Sequence, residues 1–303
     1  MIHPATTTNQ TRRYSIVSAN RKNRKNTLRF LRPMHTLQTF GKPVKKILLL
    51  YVLPAFLFLA PATTVMAQQP LTAKEMVNKS FNLFLGKSSF SVMTMTIVRP
   101  SWQRNISLQN WSLGTDYYLS YITAPARDKG EVFLKSKKNM WNYIPAINRL
   151  IKIPPSMMMQ SWMGSDFTNN DLMKQNSIVT DYKHTFAGSE KINGYDCAVI
   201  DLQPLPEAAV VWGKIKMWIT RKNLITLKVE YFDTHGKLIK TETASQIKKM
   251  GGRWLPSHME MVSNIKKGHK TVIDILHQEF NVKGIGQSFF SIQNMKNIRP
   301  RNL

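Results

Sequence analysis

Between residues 89 and 280, apolar and polar side chains alternate again and again with a period of two. That is the period of a half-buried strand. "SFSVMTMTIV", residues 89–98, puts Met93, Met95 and Ile97 on one face. "WQRNISLQNWSL" puts Trp102, Ile106 and Leu108 on one face and Trp111 and Leu113 on the other. "DYYLSYI", "EVFLKS" and "MWNYIP" are short and rich in aromatic and branched residues, and Pro100, Pro125, Gly130 and Pro145 punctuate them. After residue 190 the pattern is clearer. Asn193–Gly194 is a two-residue hairpin signal. The stretch from Gly213 to Ile247 reads as three strands with turns at Arg221–Asn223 and Asp233–Gly236. Gly251–Gly252 opens another strand, and "GHKTVIDILHQEF" is the last long one. Evenly spaced strands with tight turns predict an antiparallel meander. About ten such strands curl into a concave surface.

Two segments break the alternation. "LTAKEMVNKSFNLFLG", residues 71–86, has helical spacing at Met76, Val77, Phe81, Phe84 and Leu85. Thr72 and Glu75 form a capping box, and Gly86 supplies a stop. Residues 154–175 form the second break. Within it, "MMMQSWMGSDF" places Met158, Met159, Trp162 and Met163 where one short helix would carry them on a single face. Gly164 would end that helix, and Ser165, Asp166 or Asn170 would cap another starting near Asp171. The expected fold is mainly β: a large curved antiparallel sheet, an unclosed half-barrel. The N-terminal helix and short lid helices lie on its concave face.

The N-terminal composition changes how much of the chain this describes. Residues 1–46 carry 11 Lys and Arg and no acid, residues 47–60 are an apolar run, and "TTVMA" ends at Ala67. A basic region, an apolar region too short to span a bilayer and a small-residue site together predict a secretory signal cleaved after Ala67. Met34 is an alternative start. Residues 1–67 are thus expected to be leader and signal peptide, and residues 68–303 one domain. That domain keeps 32 basic against 17 acidic residues, a net charge of +15. In an exported protein such a charge suits anionic lipid headgroups or an envelope surface, and no nucleic-acid partner is expected. Cys197 is the only cysteine, which excludes an intrachain disulfide; its apolar run reads as buried interior.

Motifs for catalysis are missing. The histidines at 184, 235, 258, 269 and 277 show no metal-ligand spacing, "GSD" at 164–166 lacks the nucleophile elbow, and no phosphate loop is present. The chain reads as a non-enzyme without a cofactor or a metal. Methionine is what it has in excess, 14 of 17 lying after Ala67. Soft thioethers beside rigid aromatics suit a flexible apolar ligand such as an acyl chain. The candidate lipid-binding residues are Met93, Met95, Ile97, Trp102, Ile106, Leu108, Trp141, Tyr143, Met158, Met159, Trp162, Met163 and Phe167.

Residues 133–172 resemble the outer-membrane lipoprotein-sorting proteins of the LolA/LolB-like superfamily. The resemblance rests on Trp141, Tyr143 and Pro145 at a strand end, a basic apolar strand after it, and the Met-rich segment ending in Gly164–Ser165–Asp166–Phe167. The N-terminal helix and the C-terminal meander extend it over most of residues 70–296. It implies a periplasmic protein with an unclosed barrel under short helices, carrying acyl chains of lipoproteins or lipids towards an outer-membrane acceptor. It also implies an inner-membrane exporter of the RND or ABC type as a partner. With no Cys just after the predicted cut, a soluble carrier is expected; the alternatives are an accessory scaffold of such a transporter and, third in order, an exported lipid hydrolase.

Overall fold

The computed structural model describes residues 69–174 and 176–302. The leader, the signal and the Ala67 cut lie outside them. The first element is α1 (Ala73–Asn82), opened by the Thr72–Glu75 capping box in full. It stops earlier than its pattern predicts. Arg253 reaches across and donates to the carbonyls of Asn82, Leu83 and Leu85 at 3.1, 2.8 and 2.5 Å. A cation on the last carbonyls satisfies the orphaned acceptors of a helix end. Leu83 and Phe84 are thereby freed to pack into the core.

Thirteen strands follow. The first six are β1 (Ser88–Arg99), β2 (Trp102–Leu113), β3 (Tyr117–Ala124), β4 (Val132–Ser136), β5 (Asn139–Ile144) and β6 (Arg149–Lys152). The other seven are β7 (Tyr182–Ile192), β8 (Tyr195–Pro204), β9 (Lys214–Thr220), β10 (Thr226–Phe232), β11 (Leu238–Met250), β12 (Arg253–Ser263) and β13 (Lys270–Phe280). The order across the sheet is β6-β5-β4-β3-β2-β1-β13-β12-β11-β10-β9-β8-β7, antiparallel and not closed into a barrel. The chain therefore starts at the centre, runs out to one edge, crosses, and returns from the far edge to pair β13 with β1. Asn193 and Gly194 both have positive φ at the β7–β8 hairpin, as the two-residue turn requires.

The crossing segment, residues 153–181, joins opposite edges of the sheet. In a flat sheet those edges would be about 58 Å apart at ~4.8 Å per strand. A segment holding helical turns and the short helices α2 (Asn169–Met173) and α3 (Ser177–Thr180) bridges them across the concave side of a curled sheet.

Parity along the strands sorts the side chains into two layers. Met93, Met95, Ile97, Ile106, Leu108, Ile122, Phe133 and Met140 point inward and form one cluster with the crossing segment. Phe90, Trp111, Leu119, Leu134 and Tyr143 point outward. The C-terminal segment covers that outer layer: a 3-10 turn at Gln287–Phe290 and then α4 (Ile292–Asn297) seat Phe290, Met295 and Ile298 on it. This cover was not anticipated from sequence. Its apolar residues are too few and too irregularly spaced to announce a helix. A second inner cluster joins α1 and α3 to β8, β9 and β10.

Candidate lipid-binding cavity

The Met-rich segment is not a helix. It makes two 3-10 turns, Pro155–Met157 and Trp162–Gly164, and between and after them it folds back on itself. Ser161 bridges Thr168, and Trp162 N–H donates to the Phe167 carbonyl at 2.8 Å. Met163 and Gly164 both take positive φ to make the reversal. The cap of α2 is Thr168, partnered by Asp171, and not Ser165, Asp166 or Asn170.

Each member of Gly164–Ser165–Asp166–Phe167 has a physical task in that reversal. Gly164 permits the left-handed backbone. The Ser165 hydroxyl, buried, donates to the Trp162 carbonyl at 2.7 Å. Asp166 accepts from Arg99 of β1 at 3.0 Å and from the Thr271 hydroxyl of β13 at 2.6 Å, while its own N–H donates to that hydroxyl's oxygen at 2.9 Å. Arg99 also donates to the Gly164 carbonyl at 2.5 Å, and Arg104 of β2 to that of Met163. The Arg99–Asp166 pair is almost wholly out of water, with 8% and 9% of its side chains exposed. Removing one partner of a buried pair strands the other charge. Arg99→Met is therefore expected to destabilise the protein by about 3 kcal/mol in urea unfolding.

The thirteen candidate residues do not form one site. Met93, Met95, Ile97, Ile106 and Leu108 lie under the crossing segment, and the last four are completely buried. Trp162 covers them, edge-on to Phe133 with ring centroids 5.4 Å apart, and Met158, Met163 and Phe167 pack beside it. The hollow expected there is filled from within. Met159 is turned to solvent and Trp102 is nearly half exposed beside Arg99. Trp141 and Tyr143 are on the wrong face. Their parity places them in the outer layer with Phe290 and Met295, opposite the crossing segment.

A hollow of about 510 Å³, open to solvent, remains beside Trp102, Arg104, Trp162 and Met163. The more enclosed apolar space lies towards the other half of the sheet. A cavity of about 390 Å³ lies between α1, α2, α3, the loop at Val210–Trp212, Tyr182 of β7 and strands β9 to β12. That volume falls in the range of small-molecule sites, about 300–1,000 Å³. Phe81 of α1, Phe84 just beyond it, Leu172 of α2 and Ile178 of α3 roof it, and Met217, Val229, Met259 and Met261 floor it. Phe167 alone of the sequence candidates reaches it. The period-two alternation that places Met217, Val229, Met259 and Met261 on strand faces is the sequence signal for this floor. The roof needs Phe81 and Phe84 to meet Leu172 and Ile178, which lie far along the chain.

One end of the cavity is polar. Lys240 of β11 is 5% exposed and its Nζ donates to Asp171 of α2 at 2.8 Å. Its ammonium lies 4.9 Å from the Trp212 ring and 5.0 Å from that of Tyr231. The Tyr231 hydroxyl donates to Glu242 at 3.3 Å. Lys174 donates to the Ala209 carbonyl at 2.6 Å, tying α2 to the roof loop. Burial pushes the Glu242 carboxyl up; Lys240 and Tyr231 pull it down and Asp171 pushes it further up. Burial likewise holds Tyr231 well above its usual value. An acid with a raised folded pKa destabilises the fold once the unfolded chain ionises, and the penalty is absent below the unfolded pKa. Glu242→Gln, which keeps an acceptor for Tyr231, is thus expected to raise the urea midpoint at pH 7. At pH 4 and below the difference should close.

The described residues contain no cluster of three or more metal-ligating side chains, and no described helix is long and apolar enough to cross a membrane. His258 donates or accepts at Asp274 (2.7 Å) and His277 at Glu279 (2.8 Å), both as satisfied strand residues.

Residues 114–297, more than half of the chain, match a family described as "Uncharacterized protein". Three solved structures have the same fold. A DUF1329 family protein from Desulfovibrio piger is 24% identical with a TM-score of 0.67, over 74% of this chain and 97% of that one. An outer membrane lipoprotein-sorting protein domain from Vibrio parahaemolyticus is 24% identical with a TM-score of 0.65, over 74% and 98%. The chain belongs to that matched family, with the LolA/LolB-like fold. A LolA superfamily protein from Nitrosomonas europaea is 21% identical with a TM-score of 0.62, over 74% of this chain and 99% of that one. No curated protein matches this chain. The matched region runs from the β2–β3 turn to the end of α4, so it takes in the LolA-like crossing segment and most of the cavity floor.

Proposed function

We propose that this protein is a non-catalytic periplasmic carrier that shields acyl chains of lipids or lipoproteins and passes them towards the outer membrane. The observation that carries the reading is the apolar cavity of about 390 Å³ roofed by α1 and the crossing segment. Each methylene moved from water into such a space gains about 0.8 kcal/mol, so a twelve-carbon chain gains roughly 10 kcal/mol before ordering costs. Binding by area alone asks for no catalytic group and tolerates chains of varied length. Methionines on the floor adapt to them. The fold relatives support the reading, one of them described as a lipoprotein-sorting protein domain. An inner-membrane exporter as donor and an outer-membrane acceptor follow from the same proposal, as does export through a cleaved leader.

A second reading has one observation in its favour. The inner face under Trp162 is packed by the protein's own side chains. That half would suit a rigid accessory scaffold of an envelope transporter, not a container. Native mass spectrometry of the protein purified from the envelope decides between the two. A co-purifying lipid supports the carrier. A ligand-free mass, with no binding of a fluorescent fatty-acyl probe, leaves the scaffold.

A further inference from the structure

The polar end of the cavity has a charge balance that the apolar walls do not explain. Lys240 and Lys174 bring two ammonium groups to its lining, against the carboxyls of Asp171 and Glu242. Glu242 accepts instead from the Tyr231 hydroxyl, at 3.3 Å, and burial raises its pKa. Asp171 is thus the principal partner of Lys240, at 2.8 Å. Asp171 is not fixed to the sheet by backbone. It belongs to α2, where its carboxylate also takes the Thr168 N–H at 2.8 Å as part of the capping box. It can keep that bond if Lys240 turns to another anion.

Lys240 is also held ready for such a partner. Its ammonium sits about 5 Å from two aromatic rings that form part of the same lining, Trp212 and Tyr231. Their centroids are 5.2 Å apart. Aromatic faces stabilise a desolvated ammonium without neutralising it. A ligand chain lying along Met217, Val229 and Met261 would bring its head to this end.

We propose that the cavity selects single-chain amphiphiles with an anionic head, a carboxylate or a phosphate, and that the head displaces Asp171 from Lys240. The inference rests on the carrier reading and names the chemistry of its cargo. Exchange at Lys240 removes one of the ties between α2 and the sheet, so filling the cavity and loosening its roof become one event. The Arg99–Asp166 tie, some residues away on the central strands, is untouched by it.

The test compares dodecanoate, dodecyl phosphate and dodecanol, each below its micellar concentration. Binding to the full chain is read by displacement of the neutral dye Nile red. At least one of the two anions is expected to bind about tenfold more tightly than dodecanol, the gain of one charge-assisted contact. Whichever anion leads identifies the head. Lys240→Met should bring that anion to the level of dodecanol measured in the same variant. Asp171→Asn, which keeps an acceptor for the Thr168 N–H, should tighten the anion about tenfold relative to dodecanol in the same variant. Equal affinity of all three ligands for the wild type overturns the inference while the acyl carrier stands. Retention of the anion preference by Lys240→Met overturns the assignment of Lys240. An unaltered anion affinity in Asp171→Asn overturns the exchange. Failure of all three ligands to bind overturns the carrier reading with it.

Discussion

Met217→Trp combined with Met261→Trp is expected to abolish acyl-chain binding, at least a hundredfold, and to leave the fold intact. Both side chains line the cavity, from β9 and from β12, with two strands between them. Two indoles grow into empty space from separate parts of the floor, so they displace ligand volume and not protein. Large residues forced into a well-packed core cost about 1–3 kcal/mol each. Here the space exists, and the cost should fall below that range. Titration with a fluorescent fatty-acyl probe measures the binding and thermal unfolding measures the fold. A double variant that unfolds normally yet still binds the probe would place the acyl site elsewhere.

The second large effect is in stability. Trp162→Ala is expected to cost about 4 kcal/mol, in the range for truncating a buried Trp. Trp162 is 5% exposed, packs edge-on against Phe133 and closes the inner cluster over Met95, Ile97, Ile106 and Leu108. Its loss removes the one side chain of the segment, besides Ile153, that is buried in the inner cluster among the described residues, and leaves the partly buried Met158, Met163 and Phe167 with the polar ties at Asp166 and Asp171. Hydrogen exchange should speed up first in residues 153–181 and in β1 and β2 beneath them. Strands β8 to β10, which pack against α1 and α3, should keep their protection longer. A loss under 1 kcal/mol in urea unfolding would mean that the segment is held by something other than its tryptophan.

These two variants divide the inner face into a half packed beneath Trp162 and a half with an enclosed apolar cavity, and the sequence did not announce that division. The Met-rich run looked like the wall of a container because thioethers and aromatics fit either role, core or ligand surface. Which role they take depends on what fills the space opposite. Opposite Met158, Met163 and Trp162 are the inward residues of β1, β2, β4 and β13, and the two sets interlock. Opposite Met217, Met259 and Met261 is a short roof of α1, α2 and a loop, too small to fill the curve of the sheet. No local pattern distinguishes those outcomes.

Trp141 and Tyr143 show a related limit. Their alternation with Met140 and Asn142 was plain in the sequence, but alternation gives two faces without saying which is inner. The pairing of Val132 with Tyr143 and of Leu134 with Trp141 puts all four in the outward layer. There the C-terminal segment supplies the cover. The same uncertainty did not hurt β1 and β2, where Met93, Met95, Ile97, Ile106 and Leu108 were grouped correctly and only their burial by the protein's own crossing segment was unforeseen.

Much of the local chemistry was legible, although the Thr168–Asp171 cap of α2 was not. The alternation of apolar residues wrote out nearly every strand, Asn193–Gly194 wrote the hairpin turn, and Thr72–Glu75 wrote the helix start, because each depends on neighbours a few residues apart. The end of α1, by contrast, depends on Arg253, the lid's position on Arg99 and Thr271, and the cavity's polar end on Asp171 meeting Lys240. Those partners are 67 to 171 residues apart in the chain. Only the curl of the sheet brings them together, and only that curl decides where space is left for a ligand.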